Sequence, residues 1–362
     1  MIIMAEIPSC PECKVPTQVI EGHNWLNSGV IVLVVEPTLR MAFVECENFD
    51  FLFESIEKIV GLSIERLLID IERKGTRDYF APFISEETKR MLRSHELPFE
   101  SLSKAAMTTN RMNGLGRHDM VSLRYDVEDP EGNYITTRCS EPYSLPLACG
   151  DLAGATESAQ DMEYGHVTHR ELAPGVYEMT AAVSSIPDGL VGRLERKQYR
   201  HREGDVELPK CSVCGGPAAL STYRWDLEKG MIRSTVNGRR VGIFHPSVLD
   251  PLFEELEEEL GEVIPEAVID AQRRFVKRGS YSADEIKDEE AFRDQLALQG
   301  IGNLRRLEKG GKSLNVRLDN VCLHLITIGT IQGLFEMETG SDSRVEWSLS
   351  EEDDLEAEFI SI

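Results

Sequence analysis

The sequence predicts an α+β fold of two homologous repeats. Each is an antiparallel sheet with helices packed on it, and the two are arranged as a pseudo-two-fold dimer within one chain, with CxxC zinc knuckles. Three observations carry this expectation. Cys211-Ser-Val-Cys214-Gly-Gly-Pro217 repeats Cys10-Pro-Glu-Cys13-Lys-Val-Pro16 at an offset of 201, at which Gly29 falls on Gly230 and Phe43 on Phe244. Further matches stay colinear: the run Phe51 to Gly61 lies over Pro251 to Gly261, with Ile64, Asp70 and Arg73 on Ile264, Asp270 and Arg273. Gly114-Leu-Gly116 answers Gly300-Ile-Gly302, and Arg138, Gly150, Gly154 and Glu157 match Arg317, Gly329, Gly333 and Glu336. Hairpins and helices follow one another without a regular βαβ rhythm, which argues for antiparallel sheets covered by helices.

The chain divides into a first zinc knuckle (1–28), a first repeat (29–186), a linker with the second knuckle (187–229) and a second repeat (230–362). After the first knuckle, Val30 to Val35 and Met41 to Val44 flank a turn at Glu36-Pro-Thr38 and predict a hairpin. In the second repeat Ile232 to Val236 and Val241 to Phe244 flank Asn237-Gly238, the dipeptide favoured by a two-residue type I′ turn. Two helices come next in each repeat. Phe49, Leu52, Phe53, Ile56 and Ile59 recur at helical spacing, as do Leu249, Leu252, Phe253, Leu256 and Leu260, and Gly61 or Gly261 stops the helix. Ile64, Leu67, Leu68 and Ile71 mark the second helix, matched by Ile264, Val268 and Phe275.

Between Gly75 and Gly114 lie 38 residues, but only 20 lie between Gly279 and Gly300. The excess, including Tyr79-Phe-Ala-Pro-Phe83, is where asymmetric function is expected. A second hairpin follows (121–127 with 134–139; 304–307 with 314–318), then a helix from about Pro142 to Ala159 and from about Val321 to Met337, and two closing strands in each repeat. The charged stretch Ile186 to Lys210 reads as a short helix and linker.

Net charge is −24, from 63 acidic and 39 basic residues, which disfavours DNA as a partner. No run reaches the roughly 18–20 apolar residues of a membrane span. The apolar start lacks the basic segment of a signal peptide, and the eight cysteines do not look like an extracellular disulfide framework, so a cytoplasmic location is expected.

Each CxxC offers two thiolates at the separation a tetrahedral Zn²⁺ requires. Cys10, Cys13, Cys211 and Cys214 could meet in one shared structural site that staples the repeats, or each pair could find ligands in its own repeat. No repeated Cys or His would supply the latter, His23 and Cys46 having no metal-binding counterparts, which favours the shared site. A thioredoxin-like redox pair lacks its βαβ context.

Gly150 and Gly154, like Gly329 and Gly333, interrupt apolar helices at a cost of about 1 kcal/mol each against alanine. Something therefore approaches those faces closely: a packed neighbour, or a ligand against bare backbone. Arg138 and Arg317 with Glu157 and Glu336 suggest a repeated ion pair, or an arginine for a ligand carboxylate. Gly310-Gly-Lys-Ser313 is a hairpin turn, since a phosphate-binding loop would need glycine where Arg306 stands. His166 and His169 fall on opposite faces of a strand, and Glu254 to Glu259 read as a solvated face.

Asn320-Val-Cys-Leu-His-Leu-Ile-Thr-Ile-Gly-Thr-Ile-Gln-Gly-Leu-Phe-Glu336, followed by two strands, resembles the 4-vinyl-reductase-type, hydrocarbon-binding domain. That family includes effector-sensing domains of bacterial aromatic-degradation activators, a bacteriochlorophyll biosynthesis factor and related transport-particle subunits. The resemblance implies a dimerising α/β domain that encloses a small apolar ligand, near Cys322, His324 and the paired glycines. Zinc-binding members of the family use cysteines around the final hairpin, and Val345 to Phe359 has none, so any zinc must sit at the knuckles. The matching stretch of the first repeat, Glu141 to Leu147, lacks the Cys and His, so two pockets would differ. Binding of a small hydrophobic or aromatic molecule is thus the leading expectation. An enzyme or accessory factor of tetrapyrrole or aromatic metabolism and an acidic assembly subunit docking a protein partner are the alternatives.

Overall fold

The computed structural model describes residues 7–160, 162, 164–185 and 197–362. Among them the chain is a mixed α+β structure with three antiparallel sheets. Each knuckle leads into a short helical turn, α1 (Thr17–Gly22) in the first, and a strand, β1 (His23–Trp25) or β8 (Tyr223–Asp226). The hairpin strands follow: β2 (Ile31–Leu33) and β3 (Arg40–Glu45), then β9 (Met231–Ser234) and β10 (Arg240–Phe244). These join in one six-stranded sheet of order β1-β2-β3-β10-β9-β8. At its centre β3 and β10 run antiparallel, with Ala42 opposite Phe244 and Phe43 opposite Ile243. Both central strands are buried along nearly their whole length, as expected of strands covered on two faces.

The strands at the sheet's edges, β1 and β8, were not legible as strands, being three and four residues long. The turn at Asn237-Gly238 also departs from expectation. Ser234 N donates to Arg239 O, and only Gly238 takes positive φ, +77°, so the loop is longer than a two-residue type I′ turn, which needs it at both positions.

Helices α2 (Phe49–Val60) and α3 (Glu65–Phe80) match α7 (Leu249–Leu260) and α8 (Val263–Arg278). Gly61 at φ +70° and Gly261 at +82° stop α2 and α7. Where the lengths diverge, the first half has α4 (Glu86–Arg93) and α5 (Phe99–Met112), the second only α9 (Glu289–Leu298). Each half then has a four-stranded sheet. β4 (Arg117–Arg124), β5 (Tyr134–Ser140), β6 (Gly165–Ala173) and β7 (Val176–Val183) are ordered β4-β5-β7-β6. β11 (Asn303–Lys309), β12 (Ser313–Asp319), β13 (Ser343–Leu349) and β14 (Leu355–Ser361) are ordered β11-β12-β14-β13. Between second and third strands lie α6 (Leu145–Gln160) and α10 (His324–Thr339). Both are buried on nearly every side, which their apolar composition permits.

The two halves grip each other through bonds that cross between them. Arg40 Nη2 donates to Gly300 O at 2.8 Å and Asn320 O at 2.7 Å, while Arg240 Nη2 donates to Gly114 O at 3.3 Å and Glu141 O at 2.7 Å. Trp25 Nε1 donates to Leu298 O and Trp225 Nε1 to Met112 O, both at 3.0 Å. Phe43 N reaches Gln299 O and Ile243 N reaches Asn113 O. Gly29, beside Gly302 O, and Gly230, beside Gly116 O, leave no room for a Cβ. One apolar core runs through both halves, with Phe49, Leu52 and Ile71 beside Phe244, Leu252 and Val268. Of the stretch read as helix and linker, 186–196 lie outside the described residues, and Lys197 to Pro209 carries no regular structure.

Candidate metal centre and ligand cavities

Both knuckles fold alike because each tight turn closes on its own backbone. Cys10 N donates to Val15 O at 2.9 Å and Lys14 N to Cys10 O at 2.9 Å. Cys211 N donates to Gly216 O at 2.8 Å and Gly215 N to Cys211 O at 3.0 Å. The residue after the second cysteine has positive φ in each, Lys14 at 63° and Gly215 at 74°. The knuckles meet, and the four Sγ atoms of Cys10, Cys13, Cys211 and Cys214 all lie within 4.8 Å of one another. Cys10 stands 3.8 Å from Cys211, and Cys13 3.6 Å from Cys214. Thiolates about 2.3 Å from a tetrahedral ion stand about 3.8 Å apart, so this set can hold a metal ion. Three of the four cysteines are buried and Cys214 half-buried, as in a closed site without an open coordination position.

The glycines on α6 and α10 face helices. A Cβ on Gly150 would stand 2.7 Å from Ile69 O, and one on Gly154 would fall on Arg73 O. On Gly329 it would stand 2.6 Å from Ile269 O, and on Gly333 2.7 Å from Val276 Cβ. α3 and α8 therefore fill the space beside all four, and no ligand fits there. The repeated ion pair exists with different arginines. Glu157 accepts from Arg73 Nη1 at 2.8 and 2.9 Å, and Glu336 from Arg273 Nη1 at 3.1 and 2.9 Å. Arg138 lies exposed on β5, and Arg317 instead faces Asp319 and Glu356.

Cys322 and His324 are buried in a polar cluster. Cys322 Sγ lies 3.6 Å from Gly300 O, and His324 Nδ1 3.8 Å from Asp250 Oδ1. Asp250 also accepts from Tyr199 OH and Leu323 N. Neither Cys322 nor His324 lines either of the two large cavities.

Ligand-sized space lies on the other face of α6 and α10, in two cavities of 530 and 560 Å³. They occupy matching places. α6 presents Asp151, Leu152 and Ala155 to the first, where α10 presents Thr330, Ile331 and Leu334 to the second. From α5 come Ala105, Ala106 and Thr109, and from α9 Ala291, Phe292 and Gln295. The knuckle turns close one side of each, with Gln18 and Val19 in the first and Ala218 and Ala219 in the second. Tyr79, Phe80 and Phe83, the stretch singled out for asymmetry, line the first.

The two cavities differ in polarity where α6 and α10 meet α3 and α8. Around the first, Thr76 Oγ1 donates to Asp151 Oδ1 at 2.7 Å and stands 3.2 Å from Glu72 Oε1. Burial pushes Asp151 up to about 6; burial first, and then the Asp151 charge, push Glu72 well above the usual carboxylate range. Burial also drives His118, on the cavity wall, down to about 4. At the matching place in the second half, Gln272 Nε2 donates to Thr330 Oγ1 at 2.9 Å and Gln272 pairs with Asn48, all neutral. An aspartate inside the apolar first half of α6, matched by a threonine in the second half of the chain, was the available signal for Asp151.

No helix among the described residues is long and apolar enough to cross a membrane. Comparison of the chain with family models, with curated proteins and with solved structures returns no match.

Proposed function

We propose that the chain is an internally duplicated carrier or sensor whose halves form a pseudo-two-fold dimer, stapled by one structural Zn²⁺, and that each half binds a small hydrophobic or aromatic molecule. The pair of matched cavities carries this reading. Their volumes fall within the roughly 300–1,000 Å³ usual for small-molecule sites, and their walls are mostly aliphatic and aromatic with a few buried polar groups. The crossed bonds between the hairpins and the far halves support the duplication, since each has its counterpart at the matching residues. The resemblance to hydrocarbon-binding domains fits the same reading, with the ligand on the face of α10 opposite Gly329 and Gly333. A Cys₄ site selects zinc by thiolate softness and tetrahedral shape, and its need for reduced thiols fits a cytoplasmic protein.

Native mass spectrometry of the full chain as isolated tests this reading. One zinc per chain with up to two small organic molecules is the expected result. Two metal ions per chain would refute the shared site. Failure of every apolar probe, such as octanol or naphthalene, to bind by calorimetry would refute the ligand-binding role.

A further inference from the structure

The two cavities share a place in the fold but not a charge pattern: Asp151 is the one acidic residue lining the first, without Lys or Arg, whereas Glu45, Glu285 and Asp294 line the second together with Arg239. Asp151 is 5% exposed and lines the first cavity; its Oδ1 accepts from Thr76, while its Oδ2 has no hydrogen-bond partner. Glu72, behind it, faces His245, whose Nε2 lies 3.4 Å from Glu72 Oε1. Two further buried polar atoms on the cavity wall lack partners, Thr137 Oγ1 and His23 Nε2. His23 Nδ1 lies 2.8 Å from Val19 O, which can only accept, so the proton is on Nδ1 and Nε2 presents a lone pair. The unpartnered atoms therefore include two acceptors, and a native interior leaves few such groups without a purpose.

None of the residues lining this cavity is Lys or Arg. Arg111, behind His118, is held by Asp119 at 2.6 Å. The same wall carries aromatic rings: Tyr79 packs against Phe80 at 5.1 Å and Phe83 at 5.6 Å between centroids, and Phe99 adds a fourth ring. Buried carboxylate, lone-pair acceptor, aromatic faces and no competing cation together make an environment for an organic ammonium group. In the second half Asp151 is replaced by Thr330, Glu72 by Gln272 and His23 by Arg224, which does not line that cavity.

We propose that the first cavity is an amine site: it takes a hydrophobic molecule bearing one protonated amino group, with Asp151 as its counter-ion. This rests on the reading that the cavities hold ligands. The apolar body of the ligand lies along Leu152 and Ala155, and the ammonium group pairs with the Asp151 carboxyl group. Charge pairing inside a desolvated cavity discriminates strongly, because an alcohol brings one neutral donor and no charge and a carboxylate analogue adds a like charge.

The test uses the full-length metal-bound chain with octylamine, octanol and octanoic acid at pH 7, followed by calorimetry and by native mass spectrometry for stoichiometry. Octylamine is expected to bind once per chain, roughly tenfold or more tighter than octanol. Asp151→Asn is expected to abolish that preference while octanol still binds. Ala155→Trp, which fills the first cavity without touching the carboxyl group, is expected to remove octylamine binding and leave octanol at the second cavity. Equal affinity for amine and alcohol in the unmodified chain overturns the proposal, as does a preference that survives Asp151→Asn or amine binding that survives Ala155→Trp. Octanol bound without any amine preference sinks the amine site alone. If none of the three probes binds, the ligand-binding reading itself falls and takes this proposal with it.

Discussion

Glu72 and Asp151 are both buried and each bonds Thr76 Oγ1, so their cost to the fold depends on pH. Both carboxyls are pushed upward, Asp151 to about 6 by burial, and Glu72 well above the usual carboxylate range by burial and then by the Asp151 charge. An unfolded chain ionises both at ordinary carboxylate values near 4. The folded state therefore holds more protons, and these groups favour folding fully below that value and progressively less as pH rises through about 6 and beyond. Glu72→Gln, which introduces the side chain found at Gln272, should raise the melting temperature relative to the unmodified chain at pH 8. The advantage should shrink toward zero as pH falls to about 4. Melting curves of both proteins across that range check this, and an advantage that grew on acidification would contradict it. The two acids were not singled out beforehand because nothing local marks a buried carboxylate: Glu72 sits among Asp70 and Arg73, whose matches in the second half drew attention instead.

Among the elements, α6 and α10 show what a glycine pair in a helix is for. The gain of about 1 kcal/mol that alanine would bring in an isolated helix is outweighed here, because at Gly154 the new methyl group would fall on Arg73 O. Gly154→Ala should destabilise the protein by about 1–3 kcal/mol, the usual cost of forcing a methyl into a packed interior. Gly311→Ala, in an open turn with nothing within 4 Å, should change stability by no more than about 0.5 kcal/mol. Denaturant titration of both variants distinguishes the readings, since a neutral Gly154→Ala would mean that α6 and α3 do not touch there. The period-3.6 pattern made α2, α3, α7 and α8 readable, and period 2 made the long strands readable. Helices α5 and α9 were missed. Their apolar residues face the cavities and the sheet at a density too low to stand out, Ala105, Ala106 and Thr109 in one and Ala291, Phe292 and Gln295 in the other.

Across the whole molecule, the four-cysteine cluster and the crossed hairpins make the halves one body. Because Arg40 bonds the far half at Gly300 and Asn320, and Arg240 bonds the first at Gly114 and Glu141, neither half keeps its buried polar groups satisfied alone. Calorimetry should therefore show a single unfolding transition. If the four-cysteine cluster holds the proposed zinc, Cys211→Ser should abolish metal binding and lower the midpoint of that transition by several degrees, since binding confined to the folded state is stabilisation. Two separated transitions in the unmodified chain would disprove the coupling, and an unchanged metal content in Cys211→Ser would disprove the shared site. The sequence by itself determined the mixed α+β class, the hairpins and helices that carry a clear period, the helix stops at Gly61 and Gly261 and the four cysteines able to meet. Periodicity, turn chemistry and repeated motifs are local and therefore legible in one dimension. Which faces of α6 and α10 touch a helix and which border a cavity, and that Glu157 pairs with Arg73 rather than Arg138, was decided only in three dimensions. Those outcomes depend on contacts between residues far apart in the chain, where shape, burial and the absence of a competing charge choose the partner.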